Sequence, residues 1–376
     1  MLFRSLMTNH TLIALLSKYC KEIGVTRIGE VTMLDTHSIP VFQSIRPAAI
    51  NLVVDSGKGE TRDEALVATM AEAIERYCGE NCLNERIALK DIDSIEDLVF
   101  YPTLPFRRPL DDYLEVTAVK RYPDMKCFYT PIELISYANT NPRKKMFRYP
   151  WGTTGLGAHT NTESAVLSGL LEVMERDAIS SMFFGAGDVD VRRVDVRSIP
   201  EESQVLASKI VEFPYELIII EIRTRFDMSV FAVYHTDKFL YPGGIGYGTH
   251  PCRSIGLKHA LLEAAQSRVL RIAGSRDDLR YLIDDSYRLG SLFSLTPEQF
   301  DDSSRNKIEH LSDEDILLLC VEKLGAIDVD IYFCDLRVEP SPPLKVVKVI
   351  APGLKLLRQG TAMTGIPLAP AMEIFA

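Results

Sequence analysis

Four glutamates fall in two matching frames. Ala65-x6-Glu72-x2-Glu75-Arg76 recurs one hundred positions later as Ala165-x6-Glu172-x2-Glu175-Arg176, and a softened third copy reads Gly256-x6-Glu263-x2-Gln266. At about 100° per residue, Glu72 and Glu75 share a helix face with Arg76, Ala65 and Ala68, and Glu172 and Glu175 share one with Arg176, Ala165 and Ser168. The remaining faces are apolar: Leu66, Val67, Met70 and Ile74 in the first helix, Val166, Leu167, Leu170, Leu171 and Met174 in the second. Solvated faces usually carry long charged side chains. The small residues beside these acids therefore predict that they look into protein. Carboxylates crowded on two such helices repel one another unless a hard cation lies between them, which points to Mg²⁺ and an anionic ligand bound through it. Two jobs are open to Arg76 and Arg176: holding the glutamates in place, or reaching phosphate oxygens bidentately. In the third copy Gln266 replaces the second acid, and Arg268 falls off the shared face.

The elements that must position these groups are legible around them. Ser56-Gly57-Lys58-Gly59-Glu60-Thr61 is expected to lead from a strand through a Gly-Lys-Gly turn into the first helix. Thr153-Thr-Gly155-Leu-Gly157-Ala-His159-Thr160 and Gly243-Gly-Ile-Gly246-Tyr-Gly248-Thr-His250 stand in the same place before the second and third helices. Glycine at a helix entrance suits phosphate approach, because backbone N–H groups and the helix dipole both favour an anion there. This is not a Walker A loop, since Lys58 is followed by Gly59 rather than Ser or Thr. Capping boxes Thr61-x-x-Glu64 and Thr160-x-x-Glu163 predict the N-termini of the first two helices. Strands are expected at Ile50–Val54, Leu217–Ile222, Val230–Tyr234 and Ile331–Cys334. The acidic stretch Thr296–Asp315 reads as a solvated excursion followed by a helix from Glu314.

The chain has 376 residues, 46% hydrophobic and 25% charged, with a formal net charge of −10. That balance and the absence of a basic stripe argue against nucleic-acid binding. No apolar run reaches the roughly 20 residues needed to span a bilayer, and the first two dozen residues read as an amphipathic helix without a signal-peptide cleavage site. Seven scattered cysteines fit reduced thiols and a cytoplasmic protein better than a disulfide framework. The histidines form no catalytic set; His159 and His250, within the Gly-rich approaches, are candidates for ligand contact. The fold class expected is α/β: one body over residues 1–355, with sheets flanked by helices in quasi-repeated strand–Gly-rich turn–helix units. A C-terminal tail, 356–376, carries Pro367 and Pro370.

Taken together, these stretches resemble the YcaO family of ATP-using peptide-modifying enzymes. The likeness also runs through Val25-Thr-Arg27, Leu34-Asp35, Ile39-Pro-Val, Arg46-Pro47, Glu263-Ala-Ala-Gln266-Ser-Arg268, Gly274-Ser-Arg276-Asp-Asp278 and Val349-Ile-Ala-Pro352-Gly353. The resemblance implies a YcaO-type fold in which Glu72, Glu75, Glu172 and Glu175 coordinate Mg²⁺ ions that hold the ATP triphosphate. It places Lys58, Arg76, Thr160, Asn161, Arg176, Glu263 and Gln266 at the nucleotide. ATP would then activate a backbone amide: the amide oxygen takes the γ-phosphoryl group and leaves as phosphate after a nucleophile adds to the carbon. Sulfide yields a thioamide; a neighbouring Cys, Ser or Thr yields an azoline. Two positions depart from the family pattern, Ala68 where a serine is common and Thr160 where an asparagine is expected, with Asn161 adjacent. Azoline-forming members often end in closely alternating prolines, whereas Pro367 and Pro370 stand three apart and short of the terminus. The details resemble the branch that works beside a TfuA partner. The reading is thus thioamidation of a ribosomal peptide or protein by a homodimer with a TfuA-like partner or separate recognition protein. A cyclodehydratase is the alternative, and a non-catalytic ATP-binding assembly or regulatory protein the second alternative.

Overall fold

The computed structural model describes residues 9–92, 94–99, 114–138, 152–184, 189–211, 216–236, 243–275, 291–303 and 305–355. Within them the strands form three sheets. The first is antiparallel: β1 (Arg27–Glu30), β2 (Val41–Ile45) and β3 (Val54–Lys58). The second is ordered β4 (Ile87–Ala88), β5 (Glu115–Tyr122), β13 (Ile331–Asp335), β14 (Lys345–Ile350), β7 (Leu156–His159), with β6 (Cys127–Pro131) also paired to β5. The third is ordered β11 (Gly244–Thr249), β10 (Ser229–Thr236), β9 (Glu216–Arg223), β8 (Asp190–Val194), β12 (Pro297–Glu298). Helices are α1 (Asn9–Glu22), α2 (Arg62–Glu80), α3 (Ile132–Ile135), α4 (Thr162–Phe184), α5 (Glu201–Ile210), α6 (Arg253–Ala273), α7 (Arg305–Ile308) and α8 (Asp313–Gly325).

Each sheet ends in one of the glycine-bearing strands, β3, β7 or β11, and each of these feeds the helix that carries its copy of the repeat. The helices then pack cyclically. Besides its own strand, α2 rests on β7, α4 on β11 and α6 on β3. This ring explains why three separate sheets make one site: the end of every sheet is clamped between two carboxylate helices. Apolar seams close it. Leu12, Leu16 and Tyr19 of α1 join Met70 and Ile74 of α2 in one core, while Leu170, Val173 and Met174 of α4 join Leu317 and Cys320 of α8 in another. No described helix is long and apolar enough to cross a membrane.

Several expectations need correction. Gly155 stands in a turn at φ 88°, but the other approach glycines are largely strand: Ser56, Gly57 and Lys58 lie inside β3, Gly157 inside β7, and Gly244, Gly246 and Gly248 inside β11. Their role is close approach. A Cβ on Gly57 would lie 2.2 Å from the Thr69 nitrogen, one on Gly157 2.2 Å from the Ala165 oxygen, and one on Gly246 2.1 Å from the Ala260 oxygen. The small residues of each helix face thus receive the strand itself, which is why those faces lack long side chains.

The expected strand Ile50–Val54 begins only at Val54. Before it, Ile50 and Val53 are exposed, and the Ile50 and Asn51 N–H groups donate to the Glu80 carboxylate instead of to a ladder. The first capping box is present at Thr61 and Glu64. The second is not: the Asn161 side chain accepts the Ser164 N–H at 2.8 Å and caps α4, while the Thr160 hydroxyl pairs with His159 Nδ1 at 3.2 Å. The acidic excursion contains β12 and α7, and its helix starts at Asp313, capped by Ser312, one residue before the expected Glu314. All seven cysteines are free. Arg276-Asp-Asp278 and the tail 356–376 lie outside the described residues.

Candidate active site

The face of α2 and the face of α4 present their acids to one space. Arg76 Nε donates to Glu72 Oε1 at 2.8 Å and lies 3.3 Å from Asp55 Oδ1 of β3. Asp55 is buried, and burial pushes its carboxyl up to about 7 despite Arg76 beside it. Of the two jobs open to Arg76, the geometry therefore gives it the first: it braces Glu72 from behind, pinned by a residue the sequence reading did not single out. Asp55 carried one signal, an acid set directly after Val53-Val54 at the start of a strand.

On α4, the Glu172 Oε2 atom accepts the Gly155 N–H at 3.1 Å, and Arg176 reaches Glu172 and Glu175 at 3.7 and 3.6 Å. These last two are ion pairs without a short hydrogen bond. The Arg176 guanidinium also stands 5.9 Å from the centre of the Tyr247 ring of β11. Arg176 is therefore held loosely between its own glutamates and the third unit.

The third copy completes the ring. Lys58 Nζ of β3 lies 3.1 Å from Glu263 Oε2 and 3.0 Å from Gln266 Oε1 of α6. Gln266 in turn donates to the Ser56 carbonyl and hydroxyl, each at 3.0 Å. Arg268 turns away, as expected, into a buried pair with Asp35 at 2.6 Å.

Electrostatics mark this space out. Burial, then the neighbouring Glu72 and Glu172, hold the Glu75 carboxyl well above its ordinary range. Burial raises Glu172 also, opposed by Arg176, the Gly155 N–H and Lys348. Glu175 is pushed up to about 8 by burial, with the Glu263 carboxylate adding to the effect. Lys348 of β14 is a second group that sequence reasoning missed. It is buried, donates to the Gly152 carbonyl at 2.7 Å, and its ammonium is pulled down to about 8 by burial, with Glu172 and Glu75 opposing the shift. Its signal was a lysine inside the apolar run Val346-Val-Lys-Val-Ile350.

Oxygen donors that resist ionisation because they are buried, with other acids nearby, are a donor set suited to a hard divalent cation. Among the described residues, no group of three His, Cys, Asp or Glu side chains is already closed around one point. Mg²⁺ needs no such cage, since it keeps waters and is usually held by one or two carboxylates with phosphate oxygens completing the shell. His159 and His250 are buried, which lowers both; His250, brought down to about 4, accepts the Cys252 N–H at 3.0 Å. Both are neutral at pH 7 and engaged locally. Thr160 and Asn161 sit at the start of α4, with Asn161 committed to the cap.

This fold and this crowd of oxygen donors define a scaffold for a metal-bound polyanion. The family model described as YcaO cyclodehydratase, ATP- and Mg²⁺-binding, matches residues 56–355, and the chain belongs to the YcaO family. A protein of Methanothermobacter thermautotrophicus, described as uncharacterised, is 30% identical over 360 residues, 89% of this chain and 90% of its own length. A protein of Rhizobium leguminosarum bv. trifolii, described as lying in the tfuA 3′ region, is 24% identical over 389 residues, 91% of this chain and 86% of its own length. The structure of YcaO from Methanopyrus kandleri bound with AMPPCP and Mg²⁺ superposes with a TM-score of 0.75 at 20% identity, covering 96% of this chain and 95% of that one. At that identity the likeness shows the fold.

Proposed function

We propose that the chain is an ATP- and Mg²⁺-dependent enzyme that activates peptide backbone amides, and that its product is a thioamide. The observation that carries the reading is the meeting of Glu72 and Glu75 from α2, Glu172 and Glu175 from α4, and Glu263 from α6 in one charge-frustrated space. Glu72, Glu75, Glu172 and Glu175 would hold Mg²⁺, which when bound would supply charge neutralisation for a triphosphate. The chain's own groups do the rest. Arg76 holds Glu72, the Gly155 N–H holds Glu172, and Arg176, loosely tethered, is free to turn toward phosphate. Lys58, Gln266, Thr160 and Asn161 are read as nucleotide contacts at the rim.

In the reaction the amide oxygen takes the γ-phosphoryl group and ADP departs. Sulfide then adds to the carbon, and the oxygen leaves as phosphate, so C=O becomes C=S. The relative in the tfuA 3′ region and the spaced prolines Pro367 and Pro370 favour sulfide and a TfuA-like partner. The family's description as cyclodehydratases favours the second reading, in which a side-chain Cys, Ser or Thr is the nucleophile and water is lost. A homodimer in the cytoplasm, with residues 1–355 as one catalytic body, completes the proposal.

Two measurements test it. Glu72→Gln and Glu175→Gln should abolish Mg²⁺-dependent ATP binding by calorimetry while circular dichroism stays unchanged; normal binding would mean the site is misplaced. Mass spectrometry of a reacted peptide distinguishes oxygen-for-sulfur exchange from loss of water. ATP binding without peptide-dependent phosphate release would instead indicate a non-catalytic assembly protein.

A further inference from the structure

Three strand glycines that receive a helix, Gly57, Gly157 and Gly248, each stand fifteen positions before the first acid of the helix that follows. The residue just before each glycine points to the opposite face of its strand. In the ring, that face meets the next helix. Ser56 of β3 accepts the Gln266 amide of α6 at 3.0 Å, and a Cβ on Gly79 of α2 would lie 3.2 Å from Leu156 Cδ1 of β7. The third member of the set is Tyr247 of β11. Gly244, Gly246 and Gly248 lie against α6, so Ile245 and Tyr247 stand on the other side, where they join Ala178 and Met182 of α4 in one apolar cluster. There the Arg176 guanidinium of α4 stands over the Tyr247 ring, 5.9 Å from its centre.

The second copy lacks the support that the first has. Arg76 is pinned from behind by Asp55 at 3.3 Å, but the position matching Asp55 in the second copy is Gly155, which offers no side chain. Arg176 keeps ion pairs of 3.7 and 3.6 Å to Glu172 and Glu175, and makes no hydrogen bond among the described residues. A guanidinium held on a ring face stays oriented without using any of its five N–H donors. We infer that Tyr247 is a positioning residue, the aromatic platform on which Arg176 rests so that its donors face the phosphates. The third unit then contributes orientation to a cation that the second unit supplies. This role belongs to the nucleotide reading of the site, on which it rests.

The test compares wild type, Tyr247→Phe, Tyr247→Leu, Arg176→Met and the Tyr247→Leu/Arg176→Met double variant of the full chain. Two measurements are made, calorimetric titration with Mg²⁺-ATP and thermal unfolding without ligand. Tyr247→Phe keeps the ring and should bind within about twofold of wild type. Tyr247→Leu should weaken binding by about fivefold. With Arg176 already Met, the same change should cost less than about twofold, because a platform does nothing without its cation. In unfolding, Tyr247→Leu should likewise lower the midpoint less in the Arg176→Met background. A Phe variant as weak as the Leu variant, or a Leu loss undiminished without Arg176, would reduce Tyr247 to packing and overturn the inference. Where Arg176→Met binds too weakly to titrate, the unfolding cycle decides, and additive losses overturn the inference. If Tyr247→Leu does not fold, pentafluorophenylalanine at position 247 keeps the shape and removes the negative ring face. Binding equal to Tyr247→Phe then overturns the inference, and a loss of about fivefold upholds it. If wild type binds no Mg²⁺-ATP while the unfolding losses remain coupled, the nucleotide reading falls and the pairing of Tyr247 with Arg176 stands.

Discussion

Lys58 Nζ and Glu263 Oε2 meet at 3.1 Å across 205 positions of sequence, joining the strand before the first carboxylate helix to the third helix. Both side chains are part-exposed, so the pair contributes little to stability. On the proposed function, a cation taking Glu263 would release Lys58 toward a phosphate. Lys58→Met should weaken binding of Mg²⁺-ATP by about tenfold, equivalent to about 1.4 kcal/mol, with the melting midpoint in EDTA nearly unchanged. Calorimetric titration with ATP, paired with a melting curve, reads both, and undiminished affinity would remove Lys58 from the nucleotide site.

Asp55 supports the site from behind through Arg76. Partners at one remove from a metal ligand commonly account for about 10–100-fold in metal affinity. Asp55→Asn is therefore expected to lower Mg²⁺ affinity within that range while Glu72 remains in place. Metal titration followed by stabilisation against heat would detect it; an unchanged titration would show that Arg76 holds Glu72 unaided.

Gly57→Ala and Gly157→Ala place a methyl group 2.2 Å from helix backbone in β3 and β7 respectively. Backbone cannot swing aside as a side-chain tip can. Each substitution should destabilise the fold by about 1–3 kcal/mol or more and weaken nucleotide binding, because the strand moves off the helix that carries the acids. Chemical denaturation at fixed temperature measures the first effect. A neutral result at either position would contradict the packing reason given for these glycines.

The pH dependence follows from Glu175. Its native carboxyl is raised from the usual 4.5 to about 8. Between those values the folded chain holds a proton that the unfolded chain has lost, so metal-free stability declines as pH rises through that window. Metal binding must expel the proton, so Mg²⁺ affinity should increase from about pH 6 to about pH 8 with protons released. Calorimetry in two buffers of different ionisation enthalpy counts those protons, and binding with no pH dependence and no release would exclude Glu175 as a ligand.

Away from the site, Arg46 and Glu80 form a buried pair at 2.7 Å, and Glu80 also takes the Ile50 and Asn51 N–H groups. Removing one partner of such a pair strands the other, at a cost of about 3–5 kcal/mol. Glu80→Leu should therefore cost far more stability than the change in volume explains, and much of the loss should return in the double variant with Arg46→Leu. Guanidinium unfolding of the four proteins provides the cycle.

The local chemistry was legible from residues alone. A helical period set the four glutamates on two faces, Thr61 and Glu64 began α2 where their capping geometry required, and Ala65 and Ala165 announced faces turned inward. These are short-range properties, carried by spacings of three, four and seven residues. The glycines misled because the same residue serves a turn, an anion or a close backbone contact, and only the opposed helix says which. Thr160 and Asn161 compete for one cap; Asn161 takes it in the structure.

What tertiary structure alone decided is which faces meet. The cyclic packing of α2 on β7, α4 on β11 and α6 on β3 comes from sheet ends distant in sequence. No local period encodes that ring. It brings Asp55 behind Arg76, and it ties Lys348 of β14 to the Gly152 carbonyl at 2.7 Å across 196 positions. The sequence by itself determined which acids would be costly to bury. Packing decided which of them share a space and which cations stand among them, because Coulomb energy depends on distance through the fold and not along the chain.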